Sequence, residues 1–96
     1  MDKDPTEAAR RVRQLRAQYL DLLGSGELTL AKALLETPFP LSGCEIHKVL
    51  EATKGMGPET TKHVLQAVGV WPLTPVGKLV RSTRRRIIEE LPERIK

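Results

Sequence analysis

The stretch Lys54-Gly55-Met56-Gly57-Pro58-Glu59 joins two short amphipathic segments and decides how the chain turns between them. Gly55 and Gly57 can adopt positive φ, and each lets another backbone or an anion come close because no Cβ stands in the way. Pro58 suits the first position of a helix, where its missing N–H would have had no intrahelical acceptor. The pattern predicts a tight turn followed directly by a helix.

A helix that begins at this turn has unpaired N–H groups and roughly half a positive charge at its N-terminus, a combination that binds anions. We therefore predict a helix-hairpin-helix unit that grips a phosphate with the amides around Gly57–Thr61, with a hydroxyl from Thr60 or Thr61. The plainer interpretation is that the glycines and the proline only reverse the chain between two packed helices.

The rest of the sequence also predicts helices. Apolar residues from Ala8 to Leu22 recur at spacings of three and four, as in a long amphipathic helix capped by Asp4 and ended by Gly24-Ser25-Gly26. Further helices are predicted over about 28–36, from a Ser42/Glu45 capping box to about 53, from Pro58 to a stop at Gly69, and over Ser82–Leu91.

No segment alternates with period two, so the fold should be all-α, with about five helices and one more helical turn at Thr74-Pro75. The prolines of Thr37-Pro38-Phe39-Pro40 cannot continue the second helix and suggest a joint there. We expect an N-terminal helical arm over residues 1–41 and a helical module over residues 42–96, packed together as one compact domain.

Composition narrows the functional classes. Of the 96 residues, 40% are hydrophobic, 29% are charged and 3% are aromatic, and this low aromatic content argues against a binder that stacks single-stranded bases. The chain has one cysteine, no signal-like apolar N-terminus and no run long enough to span a membrane, which predicts a cytoplasmic protein that does not contact membranes.

Positive charge is concentrated at the C-terminal end. The net charge is +4, and residues 77–96 hold seven basic and three acidic side chains. Arg85 and Arg86 should point outward from the last helix, while Arg84 lies nearer its apolar side and covers the core with its stem. The asymmetry favours an acidic polymer as partner, although a charged run is also typical of a solvated helix face.

The sequence contains little that resembles catalytic chemistry. Cys44, His47 and His63 are too few for a structural zinc site, and no phosphate-binding loop, dinucleotide fingerprint or paired-carboxylate site is present. We expect neither enzyme activity, nor a metal, cofactor or small-molecule substrate.

From Ile46 onward the sequence resembles the actinobacterial integration host factor family, and the resemblance extends less clearly over residues 9–35. The residues that carry it are Val49-Leu50-Glu51-Ala52, Gly57, Val64-Leu65, Val68-Gly69-Val70, Pro72, Leu79, Arg84-Arg85 and Ile87-Ile88-Glu89-Glu90-Leu91. The resemblance implies a small, all-helical, nucleoid-associated protein that binds duplex DNA with little sequence preference. It also implies a helix–two-turn–helix module, similar to one in a ribosomal protein and in DNA-repair proteins, against which a long N-terminal helix packs.

The sequence departs from the family pattern in its basic residues. Pro58 and Thr60 stand where the family typically has lysines, and the arginine-rich stretch of the family falls on the uncharged Leu73–Gly77. Phosphate contacts should then come from other side chains, or DNA binding is weakened or lost. The candidate DNA-binding residues are Lys54, Gly55, Gly57, Thr60, Thr61, Lys62, Lys78, Arg81, Arg85 and Arg86, with Arg10 and Arg13 as candidates for a second contact.

Two other functions remain open. A protein-interaction adaptor is favoured by the lost basic residues and by the apolar stripe of the first helix, where Leu15, Tyr19 and Leu22 could pair with a partner helix. RNA binding through the same module is the other alternative, by analogy with the ribosomal protein.

Overall fold

The all-α prediction is confirmed. The computed structural model describes residues 5–95, and within that range it contains six α-helices, a single turn of 3-10 helix at Val76–Lys78, and no β-strand. The helices are α1 (Pro5–Ser25), α2 (Leu30–Glu36), α3 (Phe39–Ser42), α4 (Ile46–Ala52), α5 (Pro58–Val68) and α6 (Arg81–Glu90).

The first helix is packed along only half of its length. Tyr19, Leu20 and the fully buried Leu23 contact the core, and α1 lies there against α3 and α4. Residues 6–11 are exposed throughout, so the N-terminal half of α1 extends beyond the helices it packs on. The predicted cap at Asp4 lies outside the described residues.

One apolar core joins all six helices. Its fully buried side chains bring together residues that are distant in sequence, because each helix places its apolar positions on one face. They are Leu23, Leu30, Leu34, Leu41, Ile46, Val49, Leu50, Leu65, Val76 and Ile87. The core is therefore continuous across residue 41, where the N-terminal arm was predicted to end. The boundary between this arm and the module over residues 42–96 stays a prediction.

The proline-rich joint is a packed turn and not an open loop. The second helix ends as predicted, at Thr37, which adopts a left-handed conformation with φ 43°. Pro40 then sits in the first turn of α3, where a missing N–H is tolerated. Pro40 and Leu41 are buried, and the Arg16 side chain donates from Nε to the Pro40 carbonyl at 3.0 Å.

The predicted capping box at the start of α4 is wrong. Ser42 donates its hydroxyl to the carbonyl of Phe39, and Glu45, at the N-cap position, makes no capping hydrogen bond. Instead the amides of Ile46 and His47 donate to the carbonyls of Thr74 and Pro72, at 2.8 and 3.2 Å. A distant segment therefore occupies the first donors of α4.

The C-terminal half follows the predicted order. Helix α5 ends at Gly69, whose φ of 82° is the left-handed conformation typical of a glycine stop. The helical turn expected at Thr74-Pro75 is the 3-10 helix that follows Pro75. In α6, Ile87 is fully buried, while Leu91 comes directly after the last helical residue and is also buried.

Candidate nucleic-acid interface

The connection between α4 and α5, residues 53–57, is called the glycine turn below. Gly55 has φ 86°, a left-handed conformation that favours glycine. A Cβ placed on it would also lie 2.9 Å from Cδ1 of Ile95, the end of a side chain that would have to shift. Gly57 has φ −113° and ψ 175°, an extended conformation that any residue adopts. The expectation of positive φ is thus correct at Gly55 and wrong at Gly57.

The space beside the Gly57 backbone is open. A Cβ built on it would meet nothing within 4 Å among the described residues. A large ligand such as a phosphate group can therefore approach the Gly57 backbone closely, as the sequence suggested for a residue without a side chain.

Hydrogen bonds to the end of α1 and within residues 49–56 fix the glycine turn. The Lys54 amide donates to the Leu23 carbonyl at the end of α1 at 2.9 Å, and Met56 donates to Thr53 at 3.0 Å. Thr53 is buried and donates its hydroxyl to the carbonyl of Val49. The first turn of α5 is consequently fixed in place before any ligand arrives.

The N-termini of α4 and α5 differ in availability. The first amides of α4 are used by the carbonyls of residues 72 and 74, whereas no described residue accepts a hydrogen bond from the amides of Gly57, Glu59 or Thr60. Pro58 and Glu59 are exposed, while Gly57 and Thr60 are partly exposed. Of these two helix ends, α5 is the one that can bind an anion with its main chain.

The two threonines of this turn have different surroundings. Thr60 is partly exposed and can still offer its hydroxyl. Thr61 is only 3% exposed, and its buried Oγ1 has no hydrogen-bond partner among residues 5–95. Thr61 is therefore not a surface ligand as predicted, because it lies on the inward face of α5 with Val64, Leu65 and Val68. An unpaired buried hydroxyl destabilises a fold by about 1–3 kcal/mol.

Three basic side chains lie at or beside the glycine turn. Lys54 and Lys62, both predicted, are exposed, and the Lys54 stem lies over Gly26. Arg94 was missed by the sequence analysis because it follows the last helix and belongs to no periodic pattern. It donates from Nη2 to the carbonyl of Gly55 at 3.3 Å and so places a cation on the turn itself.

The remaining candidates of the C-terminal half lie on α6 and on the 3-10 helix before it. Lys78, Arg81, Arg85 and Arg86 are all exposed. Arg84 behaves differently, since its Nη1 donates to the Leu34 carbonyl at 2.9 Å and to the hydroxyl of Thr37. Its role goes beyond the predicted covering of the core, because these bonds attach α6 to the end of α2.

The C-terminal end of α6 approaches the start of α5. Thr60 and His63 share a shallow cavity with Glu90 and Pro92. Glu90 therefore borders the same cavity as Thr60, and its negative charge opposes anion binding on that side. Favourable charge around the α5 N-terminus comes from Lys54, Lys62 and Arg94.

The candidates for a second contact, Arg10 and Arg13, are exposed on the extended half of α1. The apolar stripe of the same helix is mostly used internally, since Tyr19 packs against the core and Leu22 is partly buried. Leu15, which is 39% exposed, is the large side chain of the stripe that could still contact a partner protein.

A cavity of about 380 Å³ lies between α4, α5 and the connector that follows α5; we call it the hairpin cavity. Its apolar wall includes Pro58, Leu65, Pro72 and Leu73. At its edge, Nδ1 of His47 lies 2.7 Å from Oε2 of Glu51, and the other polar residues that line it are Thr61, Lys62 and Gln66.

The side chains considered for metal or nucleophile chemistry are separated. Cys44 is buried before the start of α4, and burial raises the pKa of its thiol. His47 is on α4, where its neighbours are Glu45 and Glu51. No group of three or more potential metal ligands comes together among residues 5–95.

Comparisons with known proteins give one similar fold. Neither a known protein family nor a curated protein matches the sequence. The structure is similar to that of sIHF bound to an 8-base-pair palindromic DNA, with a TM-score of 0.78 and 18% sequence identity, over 90% of this chain and 99% of that chain. Within the described range, no helix is both long and apolar enough to cross a membrane. The similarity extends over nearly all of both chains and establishes that the two share a fold.

Proposed function

We propose that this protein binds duplex DNA through its phosphates, largely independently of base sequence, as an architectural protein of the nucleoid. The observation that carries the proposal is the open N-terminus of α5, where the amides of Gly57, Glu59 and Thr60 have no acceptor within residues 5–95. The shared fold with a protein solved in complex with DNA supports it.

Binding would begin at the glycine turn. A phosphate placed beside Gly57 would accept hydrogen bonds from the free amides, and the α5 dipole would add attraction. Lys54, Lys62 and Arg94 would neutralise neighbouring phosphates, because a rigid turn holds the main chain while long side chains adjust around it. Such contacts position the protein on DNA without reading base edges.

Exposed cations on α6 would extend this contact. Arg81, Arg85 and Arg86, with Lys78 before them, contribute charge without a fixed partner among the described residues. Arg10 and Arg13 on α1 would supply the second contact. Each neutralised phosphate changes the slope of log K against log[salt] by about −0.9, so four to six contacts would make binding steeply salt-dependent.

The test is fluorescence anisotropy with two unrelated duplexes of equal length at several salt concentrations. We expect similar affinities for both duplexes and a steep salt dependence. Affinity that does not change with salt, or no binding at low salt, would refute the proposal. Arg85→Glu combined with Arg86→Glu should weaken binding to both duplexes equally.

A single substitution tests the glycine turn. Lys62→Gln should lower the affinity and reduce the salt slope by about 0.9, because one phosphate contact is lost. Lys32→Gln is the matched control, since Lys32 is also an exposed lysine on a helix but lies on α2. Equal effects of the two substitutions would indicate that only net charge matters.

The alternative partners are separated by competition. Structured RNA that displaces the duplex at equal salt and lower concentration would make RNA the preferred ligand. A protein partner captured equally with and without nuclease would favour the adaptor function. The structure gives this last function less support than the sequence did, since Leu15 alone is an exposed large residue of the α1 stripe.

A further inference from the structure

The hairpin cavity adjoins the proposed phosphate site at the N-terminus of α5. Pro58, the first residue of α5, lines the cavity together with Pro72 and Leu73 of the connector. A group attached to a phosphate at the α5 amides would therefore reach the cavity directly. Its volume of about 380 Å³ falls in the range of small-molecule sites, about 300–1,000 Å³.

The wall chemistry fits a flat, mostly apolar group with polar edges. Leu65, Pro72 and Leu73 supply apolar surface, while Gln66 and the His47–Glu51 pair supply donors and acceptors at the edge. Leu73 is 50% exposed, so this wall residue offers apolar surface to a ligand without closing the cavity.

A buried polar group also indicates a missing ligand. Thr61 belongs to the cavity wall, is nine-tenths or more buried, and has an Oγ1 with no partner among the described residues. A ligand with a hydrogen-bonding edge would give this hydroxyl a partner. The observation is independent of the free amides, since it concerns a buried side chain and not the main chain.

We propose that the hairpin cavity receives an unpaired base of the bound DNA strand, while the phosphate of that nucleotide is held at the N-terminus of α5. The inference rests on the proposed duplex-binding function. In a fully paired duplex the bases are stacked and cannot enter an apolar cavity beside the backbone. A bulged or unpaired nucleotide can enter, and burial of its base against the apolar wall of Leu65, Pro72 and Leu73 would stabilise the complex.

The experiment compares two duplexes that differ by one extrahelical adenine, at fixed salt, with 2-aminopurine at that position as a fluorescent probe. We expect about tenfold tighter binding of the bulged duplex and a change in probe fluorescence on binding. Leu73→Ala should remove the preference and leave the affinity for the paired duplex unchanged. Leu35→Ala, at an exposed leucine on α2, is the matched control and should retain the preference.

Thr61→Val provides a second variant that preserves shape. It should reduce the preference for the bulged duplex while the protein stays folded, because the buried hydroxyl has no partner in the described part of the chain. Equal affinity for the two duplexes would overturn the inference and leave the proposed function intact. Saturable binding of free deoxyadenosine monophosphate without any preference between the duplexes would also overturn it. Failure to bind either duplex would refute the proposed function itself.

Discussion

Adjacent arginines on α6 should have separable roles, and methionine substitutions test this. Arg84 donates to the Leu34 carbonyl and the Thr37 hydroxyl, whereas Arg85 is exposed. Methionine keeps most of the apolar stem and removes the guanidinium, so the comparison isolates the polar contacts. We expect Arg84→Met to lower the free energy of unfolding and Arg85→Met to lower DNA affinity.

The magnitude for Arg84→Met follows from its contacts. Hydrogen bonds from a charged donor contribute about 1.5–3 kcal/mol each, and partial exposure of Arg84 places its two bonds at the lower end, about 3 kcal/mol together. Its Nε is buried and has no partner in the range that the structure describes, and removing that atom returns about 1 kcal/mol. The net loss is about 2 kcal/mol, or roughly 8–16 °C in Tm for a domain of this size.

Arg85→Met should change the free energy of unfolding by less than about 0.5 kcal/mol, as is usual for surface substitutions. Its salt slope for duplex binding should be shallower by about 0.9 if one phosphate contact is lost. Thermal unfolding followed by circular dichroism and anisotropy titrations measures the two quantities on the same samples. The reasoning is refuted if Arg84→Met unfolds at the parental temperature, or if Arg85→Met destabilises the fold and leaves the salt slope unchanged.

Three further predictions concern the glycine turn and the core. Gly55→Ala should destabilise the protein by about 1–2 kcal/mol because of the positive φ at this position, with further crowding against Ile95. Gly57→Ala should leave stability nearly unchanged and weaken duplex binding. Chemical denaturation measures the stability of the two variants and anisotropy measures their DNA affinity, and equal destabilisation would contradict the geometry. Thr61→Val should raise the free energy of unfolding by about 1 kcal/mol, since an unsatisfied hydroxyl is removed; a lower melting temperature would show that the hydroxyl has a partner. Burial raises the pKa of the Cys44 thiol, so alkylation at neutral pH should be slower in the folded than in the unfolded protein, and equal rates would contradict its burial.

The limits of α5 were predictable because they are local, whereas α3 (Phe39–Ser42) lies where the prolines suggested a loop. Pro58 and Gly69 mark the ends of α5 by their own backbone preferences, and the structure agrees at both. The inward position of Thr61 was also readable, since Thr61, Val64, Leu65 and Val68 follow the spacing of one helix face. The prediction of a surface ligand at Thr61 took account of its hydroxyl and not of its position on this face.

Contacts between distant segments were not predictable. The capping box at Ser42 and Glu45 fits a local rule, yet the connector at residues 72–74 supplies the acceptors for α4. Such a choice depends on tertiary packing, which local patterns do not encode. The same holds for Arg94, whose contact with the Gly55 carbonyl requires the end of the chain to return to the glycine turn.

The bond between Arg84 and Leu34 joins positions that are 50 residues apart. During synthesis, α2 emerges from the ribosome long before the helix that supplies this arginine. Until then the hydroxyl of Thr37, at 2.8 Å, is the donor that the Leu34 carbonyl has, and the apolar face that α6 covers has no partner. Closure of the domain is therefore a late, non-local event. We expect nascent chains that stop short of α6 to bind chaperones and to be cleaved by proteases more readily than the finished protein.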